Sequence, residues 1–145
     1  MASVSTYLNF SNHTEEVFKF YQSIFGGEFT SLHRFSDIPN LPNADQMSEA
    51  DKNGIMHIEL PILGGHRLMG TDAPESMGFK LSSGNNVHLS LEPDSREEAD
   101  RLFQALSEGG KIEIPLQDMF WGAYFGSCVD KYGIHWMLNF PNGNE

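Results

Sequence analysis

The helices of this chain repeat. Thr14-Glu15-Glu16-Val17-Phe18-Lys19-Phe20-Tyr21 returns in altered form as Arg96-Glu97-Glu98-Ala99-Asp100-Arg101-Leu102-Phe103, an offset of about 82 residues. The apolar positions Val17, Phe20, Tyr21 and Ile24 become Ala99, Leu102, Phe103 and Leu106, both sets spaced i, i+3, i+4, i+7. That spacing gathers each set on one helix face, ready to lie on a sheet. Gly26-Gly27 and Gly109-Gly110 follow the two stripes and supply helix stops. Solenoid repeats run to roughly 20–50 residues, so this longer period reads as one supersecondary module used twice. The useful site is then expected where the halves meet.

The segments between the helices complete the module. Val4 to Phe10 reads as a strand, followed by a helix from His13 to Phe25 opened by Asn12 and Glu15 in capping-box spacing. Glu28 to Phe35, Gly54 to Ile62 and His66 to Thr71 read as three more strands, with Gly64-Gly65 as a turn. Residues 36–53, rich in Pro, Asn and Asp, predict a long loop or irregular excursion, of a length that is usually functional or mobile. Residues 72–86 look like a joint. The second half follows the same order: a strand over 87–91, a helix from the capping box Ser95-Arg96-Glu97-Glu98 to Ser107, then strands over 111–116, 123–129 and 134–140. The order is β-α-β-β-β twice. The fold class is therefore α+β, one domain made of two modules, about 1–75 and 86–145.

Charge and composition narrow the partners. A chain of 145 residues, 39% hydrophobic and with 11 Phe, is long enough to bury a core without disulfides, and its single cysteine excludes an internal one. The formal net charge of −11 repels phosphate backbones and anionic lipid, so neither nucleic acid nor a membrane is expected as partner. No apolar run reaches the roughly 18–20 residues of a membrane span, and no signal-peptide pattern opens the chain. A cytoplasmic location is the plain expectation. Gly-rich phosphate loops of the GxGxxG or GxxxxGK[ST] type are absent, and no doubly wound alternation appears, so the residues do not support a nucleotide- or SAM-dependent methyltransferase.

Three stretches carry a resemblance. They are Tyr7-Leu8-Asn9-Phe10 with Glu15-Glu16 and Phe20-Tyr21 through Phe25-Gly26; Gly54-Ile55-Met56-His57-Ile58-Glu59-Leu60; and Trp121-Gly122 with Asp130-Lys131-Tyr132-Gly133-Ile134-His135-Trp136. With the tandem module, they resemble the PhnB-like branch of the vicinal-oxygen-chelate superfamily, which includes glyoxalase I, bleomycin-resistance proteins and extradiol dioxygenases. The resemblance implies a glyoxalase-like fold in which the two modules form a curved-sheet cup, and a homodimer. In metal-dependent members, it implies ligands from the first and fourth strands of each module. Those positions fall here at Thr6, Met69, His88 and Met137. Thr and Met are poor zinc partners, so only His88 is a strong donor and no resident metal is expected.

Strand alternation adds further candidates. His57 and Glu59 share one face of their strand, and His135 shares a face with Met137. Histidines serve as acid, base or ligand near neutral pH, or each simply bonds a backbone carbonyl or sheet edge. Trp121 and Trp136, with Phe120, Tyr124 and Phe125, either wall an apolar ligand site or belong to the core. Cys128, in an apolar strand, reads as a buried inert thiol. The sequence thus points to a small-molecule-binding protein that needs no cofactor, holding an apolar or aromatic ligand against Thr6, His57, Glu59, Met69, His88, Trp121, His135 and Met137. The alternative is a metal-dependent lyase, isomerase or dioxygenase using His88 with His57 or Glu59 and a divalent cation.

Overall fold

The computed structural model describes residues 2–42, 44–75 and 78–141 and divides into two compact units, Met1–Ser82 and Ser83–Glu145. The first contains β1 (Thr6–Phe10), α1 (Thr14–Phe25), β2 (Ser31–Arg34), a short α2 (Glu49–Lys52), β3 (Ile55–Pro61) and β4 (Arg67–Asp72). The second contains β5 (Leu89–Leu91), α3 (Arg96–Ser107), β6 (Lys111–Asp118), β7 (Ala123–Val129) and β8 (His135–Pro141). The sheets have matching orders, β1-β4-β3-β2 and β5-β8-β7-β6. In each, the first and last strands of the unit run parallel and the other pairs antiparallel. No helix among the described residues is long and apolar enough to cross a membrane.

Each sheet carries one long helix. On α3 the buried residues are the expected Ala99, Leu102, Phe103 and Leu106. On α1 they are Val17, Phe18, Tyr21 and Ile24, so Phe18 takes the core position expected of Phe20. The reason lies across the interface. A Cβ on Gly70 of β4 would stand 2.6 Å from the Phe18 ring, so the ring fills the space that the missing side chain leaves.

The helices start differently. Ser95 caps α3 as expected, its hydroxyl accepting from the Glu98 N–H at 3.0 Å, while Glu98 accepts from the Asp94 N–H at 2.7 Å. At α1 the expected Asn12 cap is not made: Asn12 is left-handed (φ 64°), and His13 at the cap position makes no side-chain cap bond. Instead Asp72, 58 residues on, accepts from the Thr14 N–H at 3.0 Å and the Thr14 hydroxyl at 2.7 Å. Its second oxygen accepts from the Ile55 N–H at 2.7 Å. One buried carboxylate thereby ties α1, β3 and β4. Asp130 plays a similar part in the second unit, accepting from the N–H groups of Tyr132 and Ile134 and from the Trp136 indole at 2.9 Å.

The excursion between β2 and β3 is more structured than a bare loop. It holds two 3-10 turns and α2, which Ser48 caps through the Asp51 N–H at 3.0 Å, and it buries Phe35 and Met47. Arg34 ties its base to α1 by a two-pronged pair with Glu15 at 3.1 and 2.9 Å.

Two outcomes follow from this packing. Asp72→Ala strands three buried donors and should lower stability by about 3 kcal/mol in urea titration; a change under about 0.5 kcal/mol would show that α1 does not depend on it. Cys128 is fully buried, and desolvation pushes its thiol up to about 12. The native protein should therefore resist a disulfide-exchange reagent at pH 8 and yield one thiol equivalent only after unfolding.

Candidate functional site

A single helix covers only one face of a sheet, and the pleat decides what the other face shows. In the second unit, α3 packs on β7 and β8, and the fully buried Cys128, Trp136 and Leu138 line that side. Cross-strand register carries the opposite set: Val129 opposite His135, Ser127 opposite Met137, Phe125 opposite Asn139. Leu89 stands opposite Trp136, so His88, one residue earlier, belongs to the helix-free side with Ser90.

Glu113 joins this face through a bulge. On β6, Ile112 pairs with Cys128 but Ile114 pairs with Ser127, leaving Glu113 as an extra residue between consecutive rungs. The carboxylate reaches both histidines. The His88 Nε2–H donates to one oxygen at 3.1 Å, and His135 Nδ1 lies 3.6 Å from the other. The two imidazole rings meet edge to face at 5.1 Å. The His88 hydrogen bond, partly offset by desolvation, holds the Glu113 carboxyl below its ordinary range, so it is the anion here. His135 Nδ1 is buried and has no hydrogen-bond partner. A donor atom of each residue lies within 4.8 Å of the others, and no other group of three such residues forms among the described residues.

The first unit presents a different arrangement. Ile58, Leu60 and Leu68 are fully buried, leaving His57, Glu59 and Met69 on the opposite face. The sequence pairing of His57 with Glu59 is present, at 4.0 Å. Glu59 is already satisfied: Thr30 donates to it at 2.8 Å and Arg67 lies 3.5 Å away. Thr6, expected beside them, alternates with Leu8 and Phe10 toward the core side, its hydroxyl 2.8 Å from His66 Nε2. The residue on the His57 face is Tyr7, whose hydroxyl is 3.5 Å from His57 Nδ1 and whose pKa burial raises. Matching the helices at offset 82 made Thr6 the counterpart of His88, but the strands match one residue differently: Leu8 faces Gly70 as Leu89 faces Trp136. A one-residue slip turns every side chain to the other face.

Trp121 lies in the β6–β7 turn, 57% exposed, edge-on to Phe125 and to the almost fully exposed Phe120. Trp136, by contrast, is core. Of the eight sequence candidates, the structure brings His88 and His135 together within the second unit, with Met137 on the same face. Glu113 and Tyr7 escaped sequence reasoning. The isoleucines flanking Glu113 on both sides were the available signal, a lone carboxylate in an alternating strand.

Comparison with known proteins agrees with this architecture. Residues 2–139 match the family described as 3-demethylubiquinone-9 3-methyltransferase. Protein PA1353 from Pseudomonas aeruginosa is 33% identical, with a TM-score of 0.82 over 97% of this chain and 98% of that one. A PhnB protein from Bacillus cereus is 26% identical, with a TM-score of 0.75 over 96% and 99% of the two chains. A glyoxalase/bleomycin resistance protein/dioxygenase family enzyme from Burkholderia phytofirmans, 17% identical over 94% and 97% with a TM-score of 0.59, shares the fold. Two mixed four-stranded sheets, each with one long helix, are the glyoxalase-like α+β arrangement and not a doubly wound parallel sheet. The chain belongs to the family described as 3-demethylubiquinone-9 3-methyltransferase, is similar to the PhnB protein of Bacillus cereus, and has the glyoxalase-like fold.

Proposed function

We propose that the protein binds a small apolar or aromatic molecule on the helix-free face of the second unit's sheet. The observation that carries this reading is His135 Nδ1, buried without a hydrogen-bond partner. Such an atom costs about 1–3 kcal/mol unless something satisfies it, which a ligand's polar end would do. The ligand body rests against the half-buried Phe125 and Met137, and His88 or His135 supplies the oriented contact. His57 and Glu59 are less suited to this role because Thr30 and Arg67 already occupy Glu59. A second reading, a metal-assisted lyase, isomerase or dioxygenase, is favoured by one observation: Glu113 adds a third donor beside His88 and His135.

The test uses a neutral aromatic dye, N-phenyl-1-naphthylamine, whose fluorescence rises on burial. Saturable binding is expected, weakened by His135→Ala or His88→Ala by about 1–3 kcal/mol with the fold intact by circular dichroism. Dye binding that is unsaturable, or indifferent to both substitutions, would refute the site.

We also propose a homodimer. The outer strand β6 leaves Ile112 and Ile114 exposed on an eight-residue sheet edge, which a second copy would cover. Sedimentation velocity at micromolar concentration should give the dimer mass, and Ile114→Lys should shift it toward the monomer. A wild-type monomer would end this reading.

A further inference from the structure

We infer that His88, Glu113 and His135 form a site for one divalent transition-metal cation of the zinc or cobalt type. The inference rests on the ligand face proposed above and gives its polar end a chemical identity. Two imidazole nitrogens and one carboxylate are a donor set that such cations accept, and that magnesium or calcium, preferring oxygen, does not. The separations fit. Donors about 2.0–2.1 Å from a tetrahedral metal lie about 3.4 Å from one another. The His88 Nε2–Glu113 Oε1 separation is 3.1 Å and the His135 Nδ1–Glu113 Oε2 separation is 3.6 Å. One donor atom from each of the three lies within 4.8 Å of the others, so a small closure of the two imidazoles on one carboxylate completes the triangle.

Two further observations turn a cluster into a site. First, His135 Nδ1 is buried and unpartnered while aimed at the carboxylate, leaving a lone pair or a proton without use. Second, Glu113 has no Lys or Arg partner among the described residues, whereas Glu15, Glu59 and Asp118 each meet an arginine. Its oxygens face His88 and His135, with Ser127 as a further hydrogen-bond partner, and none of these brings the permanent positive charge of an arginine or lysine. A cation between Glu113 and the two histidines would satisfy the stranded nitrogen and the anion together. The donor set also explains why the sequence argued against a metal. Counting donors at the first- and fourth-strand positions finds His88 alone; Glu113 comes from the bulged outer strand, and His135 lies two residues before the position counted on β8.

The experiment uses untagged full-length protein, freed of metal with a chelator and then titrated. Cobalt(II) is followed by its visible absorption and zinc(II) by calorimetry. One equivalent should bind to the wild type. Glu113→Gln and His135→Ala should each weaken that binding about tenfold or more, while His33→Ala, an exposed histidine on β2, should leave it unchanged. Glu113→Gln keeps the size of an exposed side chain, so its loss of binding cannot be blamed on misfolding, which circular dichroism checks directly. The assignment is overturned if folded wild-type protein binds neither cation, or if His33→Ala weakens binding and Glu113→Gln does not. Dye binding, measured on the same metal-free protein, separates the two proposals: dye bound without any cation site refutes only the cation, and cation bound without a dye site refutes only the apolar ligand.

Discussion

Each unit has one long helix for a sheet with two faces, and the chemistry of the protein depends on that shortage. The helix takes the side where Trp136, Leu138 and Cys128, or Ile58, Leu60 and Leu68, are fully buried. Every second residue must then point the other way, where no helix of the same unit covers it. Along β8 this alternation separates a buried indole from an imidazole one residue before it. The buried carboxylates Asp72 and Asp130 enforce the arrangement, since each gathers donors from turns and strand ends that would otherwise be stranded in the core.

The helix-free face of the second unit is unusual for what it leaves incomplete. Most buried polar atoms in a folded chain find a partner. Here the bulge in β6 turns Glu113 toward two histidines, and one of their nitrogens still has no partner. In the first unit the comparable carboxylate, Glu59, is consumed by Thr30 and Arg67, so the same fold yields a saturated cluster there and an unsaturated one here. Duplicated modules need not keep duplicated chemistry: Thr30 and Arg67 occupy Glu59, whereas Glu113 meets no arginine or lysine among the described residues.

The repeat also shows where sequence comparison within one chain fails. The helices match at an offset of 82, and α3 buries the residues that the offset names. The strands do not follow the same count, which placed Thr6 where Tyr7 stands. Helices tolerate such a slip poorly because it rotates the stripe by about 100°, but strands tolerate it worse, because it exchanges the faces outright. Phe18 replacing Phe20 in the core is a related case: the two rings lie about 200° apart around α1, and the gap over Gly70 settles which side of the helix faces the sheet.

What the sequence by itself determined was local and periodic. It set the β-α-β-β-β order, the apolar helix stripes, the Ser95 cap, the shared face of His57 with Glu59, and the inert burial of Cys128. These depend on residue spacing within a single element, which the chain carries in its order. Only the tertiary structure decided how elements register against one another: that Asp72 caps a helix 58 residues away, that a bulge delivers Glu113 to His88 and His135, and that Thr6 turns inward. The reason is physical. A bulge or a one-residue register shift changes few local contacts, so it leaves little trace in composition or periodicity, yet it redirects side chains across a whole face and thereby selects which groups meet.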